Sequence, residues 1–223
     1  MIYLKIKVCV FFALIFLLFT VNYVSAENKS LPLISKVIYL DPGHGGADSG
    51  AYYKGVRESD LNLKISKTIM KALNAEGATV YLTRYDNYDL AVPNAYNRKR
   101  SDLSRRANVI NKSGCDMFIS IHLNASESVS WYGAQVYYDS INKENEKIAK
   151  IFSEEAKRYL ETSREYKENN TKYMQHRINR PGILFEVGFL SNPNERLLLQ
   201  DSKYQEKVAS VVSKAVIKYF ANS

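Results

Sequence analysis

Apolar and polar positions alternate in blocks along this chain: short runs rich in Val, Ile, Tyr and Phe are separated by longer segments whose apolar residues recur every three or four positions. The short runs predict five strands, Lys36 to Asp41, Thr79 to Thr83, Met117 to His122, Ala134 to Tyr138 and Gly182 to Val187, each bounded by Gly, Pro, Asn or Asp. The longer segments predict helices over Leu61 to Glu76, Leu103 to Lys112 and Glu144 to Thr162, with a last helix carrying Tyr204, Val208, Val211, Val212, Ala215, Tyr219 and Phe220 on one stripe. Ser59 or Asp60 caps the first of these, and Ser101 or Asp102 the second. Asn192 and Pro193 start a short helix over Asn194 to Leu199. Strands interleaved with helices in this way predict an α/β fold: one domain, built on a twisted, mostly parallel sheet with helices on both faces. The stretches Tyr85 to Arg100 and Ser163 to Lys172 lack periodicity, and either can border a binding groove.

The first 26 residues follow a different pattern. Lys5 and Lys7 precede an apolar run from Val8 to Val24, and Val24-Ser25-Ala26 resembles a small-residue cleavage site, so residues 1–26 read as an export signal. The run is slightly short of the roughly 20 residues of a spanning helix, which favours cleavage over retention as an anchor. The expected location is therefore extracytoplasmic, with membrane association through the leader where it is retained. Residues 27–223 then form a single domain, long enough to bury a core.

Charge narrows the partners. Lys5 and Lys7 are the only charges before Glu27, so removing the leader takes the formal net charge from +8 to +6, which favours polyanionic surroundings such as wall polymers. The longest basic run is Arg98-Lys99-Arg100, and with an export signal this argues against nucleic acid. Cys9 lies in the leader and Cys115 is alone in the body, so no intramolecular disulfide is expected.

Four residues carry candidate chemistry: His44 in DPGHGG, Glu58 in VRESD, His122 in FISIHLNAS and Glu186 in ILFEVGFLSN. Strand ends of an open α/β sheet are where ligand groups gather, and each of the four lies at or beside one. A catalytic zinc takes three ligands of His and Asp/Glu type and leaves a position for water, while a further carboxylate handles protons. Glu58 taken alone reads as an ordinary solvated helix-start residue. Glu186 is harder to dismiss, because it interrupts an apolar strand and a buried carboxylate costs several kcal/mol unless it is paired, metal-bound or protonated. Asp41 is placed to accept the proton of the other ring nitrogen of His44, and Asn124 to do the same for His122; both read equally as turn residues. His176 receives no metal role, although it can face substrate. The glycines of DPGHGGADSG do not form G-x-G-x-x-G, and the chain has no G-x-S-x-G elbow, which excludes the dinucleotide and serine-hydrolase readings.

DPGHGG with the downstream Glu58, LSRRANVIN before DMFISIHLNAS, and RPGILFEVGFLSN together resemble the zinc-dependent N-acetylmuramoyl-L-alanine amidases of the type-3 family. The resemblance covers nearly all of residues 27–223. It implies one zinc ion held by His44, Glu58 and His122, with Glu186 as the catalytic carboxylate, and a sheet of about six strands, one more than the pattern shows. Leu123 and Ser49 depart from the family's usual Ala and Pro without touching that chemistry. The implied reaction is hydrolysis of the amide between the lactyl group of N-acetylmuramic acid and L-alanine in peptidoglycan. A single domain without wall-binding repeats is most like the spore-cortex members, which implies cortex peptidoglycan as substrate and a place in the cell wall or between the spore membranes. The segment Asn124 to Tyr132 is too short for an inserted blocking helix, so a monomer that meets a targeting or regulatory partner is expected. A zinc exopeptidase acting on peptide stems and a non-catalytic wall-binding domain are the rival readings.

Overall fold

Parity along the strands decides where everything else goes. Residues 30–222 are described by the computed structural model, so the leader reading of residues 1–26, Cys9 included, lies outside the described residues. The elements below belong to one compact unit, Pro32–Ser223. A six-stranded sheet has the order β4-β1-β5-β8-β6-β7, made of β1 Val37–Pro42, β4 Thr79–Leu82, β5 Met117–Asn124, β6 Gln135–Tyr138, β7 Lys167–Glu168 and β8 Gly182–Phe189. All neighbours run parallel except β6 against β8. The five strands expected from the pattern are all present. The sixth, β7, falls inside Ser163 to Lys172, where two exposed polar residues give no alternation to read.

Among the described residues five α-helices complete the fold: α1 Glu58–Ala75, α2 Arg98–Ser113, α3 Glu144–Tyr159, α4 Pro193–Gln200 and α5 Ser202–Ala221. Ile38 and Leu40 of β1, Ile119 and Ile121 of β5, and Ile183 and Phe185 of β8 point into the larger core with the apolar stripes of α1, α3 and α5. The intervening residues of each strand face the other way. There a smaller cluster of Phe118, Ala107, Ile110, Met174 and Ile178 seats α2. Because side chains alternate with period two, His122, Glu186 and Asp41 fall on the α2 side, away from the larger core.

Helix starts differ from expectation in an instructive way. α1 begins at Glu58 rather than Leu61, and no side chain caps it. The amides of Glu58 and Ser59 instead donate to the carbonyls of Ala51 and Ser49, at 2.9 and 3.0 Å, so the preceding loop satisfies the helix's free N–H groups. α2 begins at Arg98, capped by Asn97, whose side chain accepts from the Arg100 amide. The expected caps are engaged elsewhere: Ser101 accepts from Val92, and Asp102 from Leu90 and Arg106. α3 ends at Tyr159 rather than Thr162, whose hydroxyl donates to the Ala134 carbonyl. α4 starts as expected, with Pro193 in its first turn and Asn192 accepting from Asn194 and Glu195. The segment between β5 and β6 contains no helix.

Candidate active site

The loop after β1 delivers His44. Its backbone sits in the left-handed region, φ 61°, which costs a non-glycine residue of order 1 kcal/mol. Two buried arginines hold the turn there. Arg84 donates to the carbonyls of Pro42, Gly43 and Ser59 at 2.9, 2.9 and 2.7 Å, and Arg106 donates to those of Pro42 and His44 at 2.8 and 2.6 Å. Arg106 also pairs with Asp41 and Asp102, both at 2.9 Å. Burial, and then the neighbouring Arg106 charge, push the Arg84 guanidinium down to about 10. Gly43 leaves space for a ring: a Cβ there would lie 2.2 Å from the His122 imidazole.

Glu58 arrives from the other side. A two-stranded ribbon, β2 Tyr52–Tyr53 and β3 Val56–Arg57, turns tightly at Lys54 and Gly55, both with positive φ, and runs directly into α1. The Glu58 carboxylate accepts from the Ala51 amide at 2.8 Å, the Leu123 amide at 3.1 Å and the Asn62 side chain at 3.2 Å. Burial would raise its pKa, but hydrogen bonds and charge from His122 and His44 outweigh burial and hold it far below the usual carboxylate range.

His122 is carried by β5, and its strand neighbour in β8 is Glu186. His44 Nε2 lies 3.2 Å from Glu58 Oε1, and His122 Nδ1 lies 3.1 Å from the same oxygen. The two rings meet edge to face, 5.0 Å apart at 77°. One ligand atom from each of His44, Glu58 and His122 lies within 4.8 Å of the others, the single metal-competent cluster among the described residues. A carboxylate held ionised against two imidazole nitrogens suits a divalent cation of borderline softness such as zinc.

Glu186 lies in the wall of the same cavity, about 370 Å³ in volume. Its Oε2 is buried and finds no hydrogen-bond partner among the described residues. Burial pushes its pKa up; His122 opposes the rise and Glu58 adds to it. His176 lies apart from the cluster, 3.1 Å from Asp139.

The expectation for Asp41 is corrected. Its carboxylate accepts from Thr83, Ser120 and Arg106 at 2.6, 2.8 and 2.9 Å. The group facing His44 Nδ1 is Asp48, at 3.0 Å. Asn124 lines the cavity, but its side-chain oxygen accepts from the Ala125 amide, and no bond joins it to His122 among the described residues. Sequence reading thus missed Asp48, Asn62, Arg84 and Arg106. Arg106 carried a signal, since it shares a helical face with Leu103, Ala107 and Ile110; Arg84, just beyond a strand end, carried none.

The model of the family described as N-acetylmuramoyl-L-alanine amidase matches residues 38–218. The chain belongs to this family. The amidase is 44% identical over 215 residues to the germination-specific N-acetylmuramoyl-L-alanine amidase of Bacillus subtilis, covering 92% of this chain and 91% of that protein. It is 29% identical to the N-acetylmuramoyl-L-alanine amidase LytC of the same organism, over 87% of this chain but 38% of that longer protein. Among solved structures, the CwlD amidase from Clostridioides difficile, determined in complex with the GerS lipoprotein, superposes with a TM-score of 0.80 at 36% identity, covering 84% of this chain and 100% of that one. The fold of this amidase is that of its relatives, and its activity is that of the family, amide hydrolysis in peptidoglycan.

Proposed function

We propose that this amidase cleaves the bond between the lactyl group of muramic acid and L-alanine in spore-cortex peptidoglycan, outside the cytoplasmic membrane, as a zinc enzyme. The observation that carries this reading is the convergence of His44, Glu58 and His122 on one point, with the unpartnered Glu186 oxygen in the same cavity. The likeness to a germination-specific amidase supports the cortex as substrate. The relative solved with a lipoprotein supports a protein partner that localises or assists the enzyme. The apolar leader supports export, and a single copy of the chain contains every residue of the site.

His44, Glu58 and His122 would hold the zinc. Bound there, zinc acts as a Lewis acid that acidifies water and polarises the amide carbonyl. Asp48 accepts the Nδ1 proton of His44 and so leaves Nε2 free to coordinate. The Ala51 and Leu123 amides fix the Glu58 carboxylate. Glu186, whose carboxylate burial makes more basic than usual, takes a proton from the attacking water and returns it to the departing alanine nitrogen. Glu186→Gln is expected to keep zinc at one equivalent by metal analysis and to lose a hundredfold or more in turnover, the order typical of a general acid–base residue. Analysis of the muropeptide products is expected to show free lactyl groups; a cut within the peptide stem would mean a peptidase instead.

A further inference from the structure

One wall of the cavity is made by α2 and the segment that follows β7. Tyr173 anchors that segment: its hydroxyl lies 3.1 Å from Arg100 Nε and 2.9 Å from Ser104 Oγ, and the Arg177 guanidinium stacks 3.6 Å from its ring centre. Met174 and Gln175 are buried behind it. Lys172, next to this anchor, lines the cavity together with Glu186. Its charge acts on Glu186, opposing the rise that burial causes there. Unlike Lys99 on the same wall, whose ammonium lies 3.7 Å from Asp48, the Lys172 ammonium makes no hydrogen bond or ion pair among the described residues. The cavity also carries Glu58, Glu186 and Asp48, with Lys99 and Arg106 as its other cations. Lys99 and Arg106 are each paired with a carboxylate, whereas the Lys172 ammonium is free to receive an anionic group of the substrate.

The substrate brings such an anion. In a peptide stem, L-alanine is followed by a D-glutamate joined through its side-chain carboxyl, so a free α-carboxylate follows the scissile nitrogen within about two residues, roughly 7 Å at full extension. We propose that Lys172 receives this α-carboxylate and so sets the enzyme's preference for stems whose second residue carries a free acid. The proposal rests on the amidase reading of the site. A flexible ammonium suits the task, because it can follow a charge that arrives with the substrate. Lys172 is here a specificity residue and takes no part in proton transfer.

The test uses the full chain loaded with zinc and two soluble muropeptides whose glutamyl γ-carboxyl is blocked as it is in the stem: N-acetylmuramoyl-L-alanyl-D-glutamine, which has a free α-carboxylate, and its neutral α-amide. Affinity is measured by calorimetry and turnover by the appearance of the free alanyl amine. The unaltered protein is expected to bind the acid about tenfold more tightly, in keeping with one charge-assisted hydrogen bond, and to show the difference in KM rather than kcat. Lys172→Gln is expected to treat the two alike, and Lys172→Arg to keep part of the preference. A Lys172→Gln variant that retains the full preference, or an unaltered protein that shows none, overturns the proposal. If the unaltered protein binds with the preference and cuts neither compound, the carboxylate subsite stands and the amidase reading falls.

Discussion

At the residue scale, the site depends on groups that set the state of its ligands. Asp48 is placed to fix the tautomer of His44, so Asp48→Asn is expected to weaken zinc binding by about 10- to 100-fold while the fold persists; a competition titration with a chelator checks it. Asp41 has a structural task. Burial raises its pKa, but Arg106, Thr83 and Ser120 outweigh burial and hold the carboxyl below its ordinary value. A carboxylate with a lowered native pKa stabilises the fold at pH values above the unfolded value, and that contribution is lost as pH falls through the native one. Asp41→Asn is therefore expected to destabilise the protein at pH 7 by roughly 3 kcal/mol or more, as breaking a buried ion pair does. The deficit should shrink below about pH 4, which thermal melts at a series of pH values would reveal. Of the four principal residues, Glu186 stood out in the sequence because a carboxylate is costly in an apolar run, whereas His44, Glu58 and His122 were picked out by the combination of motifs around them. Asp48 was not, since an acid four positions after a histidine in a glycine-rich turn looks like turn chemistry until coordinates bring the two together.

At the scale of elements, the placement of the five longer strands could be read closely and the starts of α1 and α2 could not. A buried strand such as β8 declares itself by an apolar run, broken here at Glu186 alone. The start of α1 depends on carbonyls of the 49–51 loop, long-range information that no local cap signal carries. That dependence couples the element to the site, because the same loop also donates to Glu58. The turn after β1 is coupled more tightly still. A methyl group at position 43 would collide with the His122 ring, so Gly43→Ala is expected to cut zinc affinity by at least tenfold, since the ring must shift before it can coordinate. A spectrum of the cobalt-substituted protein would report the altered ligand field, and a variant indistinguishable from the parent would show that the ring has room to move.

At the scale of the molecule, the three residues that would hold the zinc come from three separated places: the loop after β1, the start of α1 and the end of β5. An ion that joins them stabilises the folded form by mass action, about 2.7 kcal/mol at a free concentration one hundred times the dissociation constant. The midpoint of thermal unfolding is therefore expected to rise with zinc in the parent and to stay flat in His44→Ala, as scanning calorimetry can measure. Sheet architecture and class were legible at this scale because strand and helix periods differ so plainly along the chain; the two-residue edge strand β7 was too short and too polar to register. Strand parity has a practical consequence for anyone re-engineering the enzyme. Heat resistance can be tuned from the packed interior under α1, α3 and α5 with the cavity left in place, whereas changes in the layer beneath α2 bear on substrate and, through the Asp41–Arg106 pair, on stability as well.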